Sequence, residues 1–83
     1  MKITLINGTV LGGASLIKDG ISLFLYIPGL DMKTVFDLLI DPANTSVIGY
    51  TDGGITTEYA GFTKLRTISD EDGEITAVME KEV

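Results

Sequence analysis

Four times in 83 residues the chain sets Asn or Asp directly before Gly: Asn7-Gly8, Asp19-Gly20, Asp52-Gly53 and Asp72-Gly73. A tight hairpin turn needs positive φ at its central residues, and these pairs reach it at least cost. Each pair therefore marks a place where one strand folds back on another. The segments between them keep the period of a strand: Ile21, Leu23, Leu25 and Ile27 alternate with Ser22, Phe24 and Tyr26, and Ile55, Thr57 and Tyr59 alternate with Thr56, Glu58 and Ala60. Short hairpins in series restrict the chain to antiparallel sheet.

The first hairpin spans Lys2 to Leu11. A two-residue Asn7-Gly8 loop pairs Leu5 with Val10 and Ile6 with Thr9, placing Ile3, Leu5 and Val10 on one face and Leu11 on the other with Lys2 and Thr4. Gly12-Gly13 reads as a bulge or bend within that ribbon, because glycine weakens a strand interior. Ala14–Ile17 resumes the strand, and a loop at Asp19-Gly20 sets Leu16 opposite Leu23. Ile21–Ile27 is apolar on both faces, which suits an internal strand; the other reading is that Phe24 and Tyr26 face a partner subunit. Further strands are expected over Ser46–Thr51, Ile55–Ala60, Phe62–Ser69 and Glu74–Glu80. A two-residue Asp72-Gly73 loop would set Lys64 against Lys81 and Leu65 against Glu80, with Ile68, Ala77 and Met79 on one face.

One stretch breaks the strand period. Between Pro28 and Pro42, Met32, Val35, Phe36 and Leu39 stand at i, i+3, i+4 and i+7, the spacing of a helix stripe. Asp31 is a good N-cap, and Asp41-Pro42 ends the helix because the residue before Pro is pushed out of the α region. About ten residues of isolated helix are unstable in water, so the stripe must be held against the sheet. The expected architecture is a single α+β domain over residues 1–83, with six to seven antiparallel strands around one short central helix in the order βββ-α-ββββ.

The chain contains neither Cys nor His. Disulfides, thiolate metal sites and the side chain that titrates near neutrality are all excluded. A core of this size is close to marginal, and self-association is the remaining means of support, so a homo-oligomer is expected. No run approaches the roughly 18 apolar residues of a membrane span. The opening residues lack the form of a signal peptide, which points to the host cytoplasm or a virion. Net charge is −6, and Asp70, Glu71, Asp72, Glu74, Glu80 and Glu82 against Lys81 place −5 of it in residues 70–83. Phosphate contacts need clustered Lys and Arg, so direct nucleic-acid binding is disfavoured, while binding to a basic protein partner stays open.

Candidate sites follow from these patterns. The carboxylates Asp70, Glu71, Asp72, Glu74 and Glu80 are the natural contact for a basic protein. The segment around Gly73 fails as an EF-hand, since Ile68 and Met79 would occupy ligand positions that require acids. Gly8–Ser15 fails as a phosphate loop, because no Lys follows and its context is strand to strand. Without His, no spacing pairs a serine with a base, and the chain reads as a non-enzyme with no cofactor and no metal. For a nucleotide ligand, Tyr59 and Phe62 would supply stacking faces and Lys64 and Arg66 charge.

Three stretches, Met1–Leu11, Val35–Gly54 and Glu58–Ser69, resemble a group of small proteins encoded by tailed phages and prophages of Gram-positive bacteria. The resemblance spans nearly the whole chain and rests on structural punctuation, so it carries no catalytic residue across. It implies a virion or tail-associated assembly component. The alternative within the same setting is an anti-defence inhibitor, either an acidic hairpin that blocks a basic nucleic-acid site of a host nuclease or an oligomeric sponge for a signalling nucleotide.

Overall fold

The computed structural model describes residues 1–82 and contains eight strands and two short helices. The order is β1 (Lys2–Thr4), β2 (Val10–Gly12), β3 (Ser15–Asp19), β4 (Ser22–Pro28), α1 (Met32–Leu39), α2 (Pro42–Thr45), β5 (Val47–Asp52), β6 (Ile55–Ala60), β7 (Lys64–Glu71) and β8 (Glu74–Glu80). The strands form two antiparallel four-stranded sheets, sheet 1 in the order β2-β1-β5-β6 and sheet 2 in the order β3-β4-β8-β7. The α+β class holds, while the strand count and order of the sequence reading are corrected to ββββ-αα-ββββ.

The extra strand comes from Gly12-Gly13. This pair does not bulge within one strand; it carries the chain from sheet 1 to sheet 2. Gly13 takes φ +72° and its N–H donates to the Met1 carbonyl at 2.9 Å. Gly61 plays the same part between β6 and β7, with φ +88° and its N–H on the Ser46 carbonyl at 3.1 Å. Exchanging β1–β4 for β5–β8 leaves both sheet orders unchanged, so the halves are topologically equivalent about an approximate two-fold. The backbone repeats it: Gly29 N–H donates to the Gly73 carbonyl, and Lys81 N–H to the Ile21 carbonyl.

The core fills the space between the inner sheet faces. In sheet 2, Leu23 faces Met79, Leu25 faces Ala77 and Ile27 faces Ile75, and all six are fully buried. Ile3, Leu11 and Ile48 enter from sheet 1, and Val35 and Leu39 from α1. Each side chain of this kind contributes about 1.5–3 kcal/mol on burial.

Turn chemistry explains the changes of register. At the first turn only Gly8 is left-handed (φ +91°), and the Asn7 side chain accepts the Thr9 N–H at 3.0 Å. The loop is therefore Ile6-Asn7-Gly8, Thr4 faces Val10, and Ile3 faces Leu11. Leu11 is buried with Ile3, and Val10 is exposed. At the second turn the loop is Gly20-Ile21, so Leu16 faces Leu25 instead of Leu23, still on the buried side. The Asp72-Gly73 loop has positive φ at both residues, but a bulge between Leu65 and Thr67 sets Lys64 against Glu80 and Leu65 against Met79. Leu65 thereby joins the face of Met79.

Asp31 caps α1, its carboxylate accepting the Thr34 N–H at 3.0 Å. Only Val35 and Leu39 of the expected stripe are buried, and Phe36 is 40% exposed. The sheets already close on each other, which leaves room for two helix positions at the margin of the core. Asp41 and Pro42 end α1 and also open α2, with Asp41 as N-cap and Pro42 in the first turn. Residues Pro42–Thr45 form that helical turn.

Candidate functional site

Cross-strand partners share a face, so the registers define what sheet 2 presents outward. Ile17, Phe24, Val78 and Thr67 form one row across the sheet, and Ser15, Tyr26, Thr76 and Ser69 form the next. Asp19, Ser22, Glu80 and Lys64 lie beyond the first row; Pro28, Glu74 and Glu71 lie beyond the second. The face thus has an apolar middle of Ile17, Phe24, Tyr26 and Val78 between two charged ends. Ile17 is 57% exposed, and the other three are half-buried by their neighbours in the sheet.

The equivalence of the halves tests whether the fold requires this apolar middle. Displacement by 52 residues carries β4 onto β8, and it takes Ile17 to Ser69, Phe24 to Thr76 and Tyr26 to Val78. The same architecture accepts hydroxyls at two of the three equivalent places. Ile17 and Phe24 are therefore in excess of what the sheet needs to form.

The five acidic candidates divide into two groups. Asp70, Glu71, Asp72 and Glu74 cluster at the β7–β8 tip, where Glu71 and Glu74 are direct partners on the outer face. Glu80 is at the opposite end of β8, roughly 20 Å away at the rise of a strand. There it accepts from the Arg66 guanidinium at 2.5 Å. The bulge makes this contact possible by inserting Arg66 beside the Lys64–Glu80 pair. Among the described residues, no carboxylate of the tip takes part in an ion pair, and no three acidic side chains gather in a way that could hold a metal ion.

The four residues of the nucleotide reading differ in burial and in partners. Phe62 is 3% exposed, its ring edge-on to Tyr59 at a centroid distance of 6.3 Å and with the Lys81 ammonium 5.7 Å from its centre. Tyr59 is half-buried, Lys64 is exposed, and Arg66 is engaged with Glu80. A shallow depression of about 210 Å³ lies instead on sheet 1, bordered by Thr4, Ile6, Val47, Gly49 and Glu58. Glu58 is its single ionisable group, so it holds no acid–base pair. Sequence reading gave no hint of it, because Thr4, Gly49 and Glu58 meet only through the order β1-β5-β6.

Among the described residues no helix is long and apolar enough to cross a membrane. No known family model, curated protein or solved structure matches the chain.

Proposed function

We propose that the chain acts by binding and not by turnover, as a small assembly component that docks a basic-rimmed protein surface onto the outer face of sheet 2. The observation that supports this reading is the continuity of two features. Phe24 and Tyr26 lie on the same face as Glu71 and Glu74, so the apolar middle and the acidic tip belong to one surface. A desolvated apolar centre framed by charge is the usual anatomy of a protein interface. Among the described residues the carboxylates at the tip have no ion-pair partner, which leaves them to complement Lys and Arg on the partner. In the phage setting that the sequence resembles, the partner is a virion or tail protein.

A second reading draws on those unpaired tip carboxylates alone: an anti-defence role in which Asp70, Glu71, Asp72 and Glu74 occupy a basic nucleic-acid channel. Affinity capture with three baits separates the two. A protein retained by the wild type and lost both with Phe24→Asp and with the Glu71→Gln/Glu74→Gln pair supports the single face. Loss with the acidic pair but retention by Phe24→Asp supports the second reading. A protein captured equally by all three baits rejects both.

A further inference from the structure

Four strands end the two sheets, and three of them are defended against pairing with another chain. β2 is only three residues long. β3 carries Lys18 next to its end. β7 is bulged at Arg66 and carries Lys64, Asp70 and Glu71. β6, with the sequence Ile-Thr-Thr-Glu-Tyr-Ala, carries the single charge of Glu58 but no Lys, Pro or bulge, and its pairing to β5 is regular along all six residues. Ile55 at its start is 73% exposed, more than any other large apolar residue among the described residues.

The hairpin geometry fixes which backbone groups of β6 are free. A two-residue Gly53-Gly54 loop makes Asp52 and Ile55 a hydrogen-bonded pair, and the pattern alternates from there. Gly61 N–H on the Ser46 carbonyl keeps the same phase at the far end. Ile55, Thr57 and Tyr59 thus spend their backbone groups on β5. Thr56, Glu58 and Ala60 turn theirs to the open edge. The short Thr51–Thr56 hydroxyl contact of 2.8 Å is the close side-chain approach expected of a non-hydrogen-bonded pair.

We infer that β6 pairs antiparallel with β6 of a second copy of this chain, joining two copies of sheet 1 into one eight-stranded sheet centred on Thr57. Self-complementarity selects that register. With Thr57 opposite Thr57, Thr56 and Glu58 of the two copies exchange their free backbone bonds, and Ile55 lies against Tyr59 on the inner side. Each copy thereby covers the other's most exposed apolar residue. Centring on Glu58 would satisfy the same phase but would oppose two glutamates, which is destabilising. This contact uses a sheet different from the face in the proposed function, so either can fail without the other.

The experiment combines sedimentation over a concentration series with cysteine cross-linking in a chain that has no native Cys. The wild type should pass from one-chain to two-chain mass as concentration rises. Thr57→Lys, which places two ammonium groups together on the axis, should remain monomeric with an unchanged far-ultraviolet dichroism spectrum. Under mild oxidation Thr57→Cys should form a dimeric disulfide at least tenfold faster than Lys18→Cys, because Cα atoms of a non-hydrogen-bonded pair stand about 4.5 Å apart, within disulfide range. A one-chain mass up to millimolar wild-type protein, a dimer indifferent to Thr57→Lys, or equal oxidation rates for the two cysteines would each overturn the inference.

Discussion

Gly13 and Gly61 occupy the same place in the two halves of the chain: each donates its N–H to the residue just before the strand that opens its half, Met1 in one case and Ser46 in the other. Both lie at positive φ, where a side chain costs about 1–2 kcal/mol. A Cβ on Gly13 would also stand 3.4 Å from the Pro28 ring, and one on Gly61 3.5 Å from the Lys81 chain. Gly13→Ala and Gly61→Ala should each lower unfolding free energy in urea by about 1–2 kcal/mol. Gly12→Ala, at ordinary φ and in open space, should have little effect.

The helix stripe divides into a buried and an exposed pair. Leu39→Ala should cost about 2–5 kcal/mol by opening the core. Phe36→Ala should cost less than half as much as Leu39→Ala, although Phe is the larger residue, because Phe36 is 40% exposed. Equal losses in denaturant melts would mean that α1 lies deeper against the sheets than described.

Thr45 is fully buried in α2, and its hydroxyl has no hydrogen-bond partner among the described residues. Replacing a lone buried hydroxyl with a methyl of similar shape removes a desolvation penalty. Thr45→Val should therefore raise stability, by about 1 kcal/mol, in equilibrium unfolding. A loss instead of a gain would show that the hydroxyl is satisfied in solution.

Hydrogen bonding from Thr34, through its side chain and its backbone N–H, holds the Asp31 carboxyl below the usual value of 3.8. Because the folded value is the lower one, the charged cap's contribution is present above about pH 4 and is lost as pH falls through the folded value. Asp31→Ala should be less stable than wild type at pH 7, and the difference should narrow below pH 4. A deficit that stays constant with pH would mean that the cap acts without its charge.

Much of the local structure was legible in the residues. The Asp72-Gly73 loop takes the conformation its residues favour, the third turn lies one residue beyond its Asp-Gly pair, at Gly53-Gly54, and β6 and β8 fall on the expected boundaries. The failures have specific causes. Asn7 used its side chain, not its backbone, to close the first turn, which moved Leu11 into the core. Arg66 entered as a bulge, which no alternation of Leu65, Thr67 and Ile68 discloses. The central role expected of the helix passed to the sheets, since periodicity shows that a face is apolar but not how much of it another element will cover. The outer face of sheet 2 was half visible: Phe24, Tyr26 and the acidic tip each stood out, as rival sites. That Glu71 and Glu74 share a face with Phe24 depends on β8 lying between β4 and β7, a long-range pairing the sequence does not state.

The most direct test of the single binding face is to map backbone amide shifts of the labelled protein while titrating the captured partner. One contiguous set of amides should be perturbed, from Ile17, Phe24 and Tyr26 through Thr76 and Val78 to Glu71 and Glu74, with affinity falling as salt rises. Perturbations confined to residues 70–74, with Phe24 and Tyr26 unmoved, would contradict a single face.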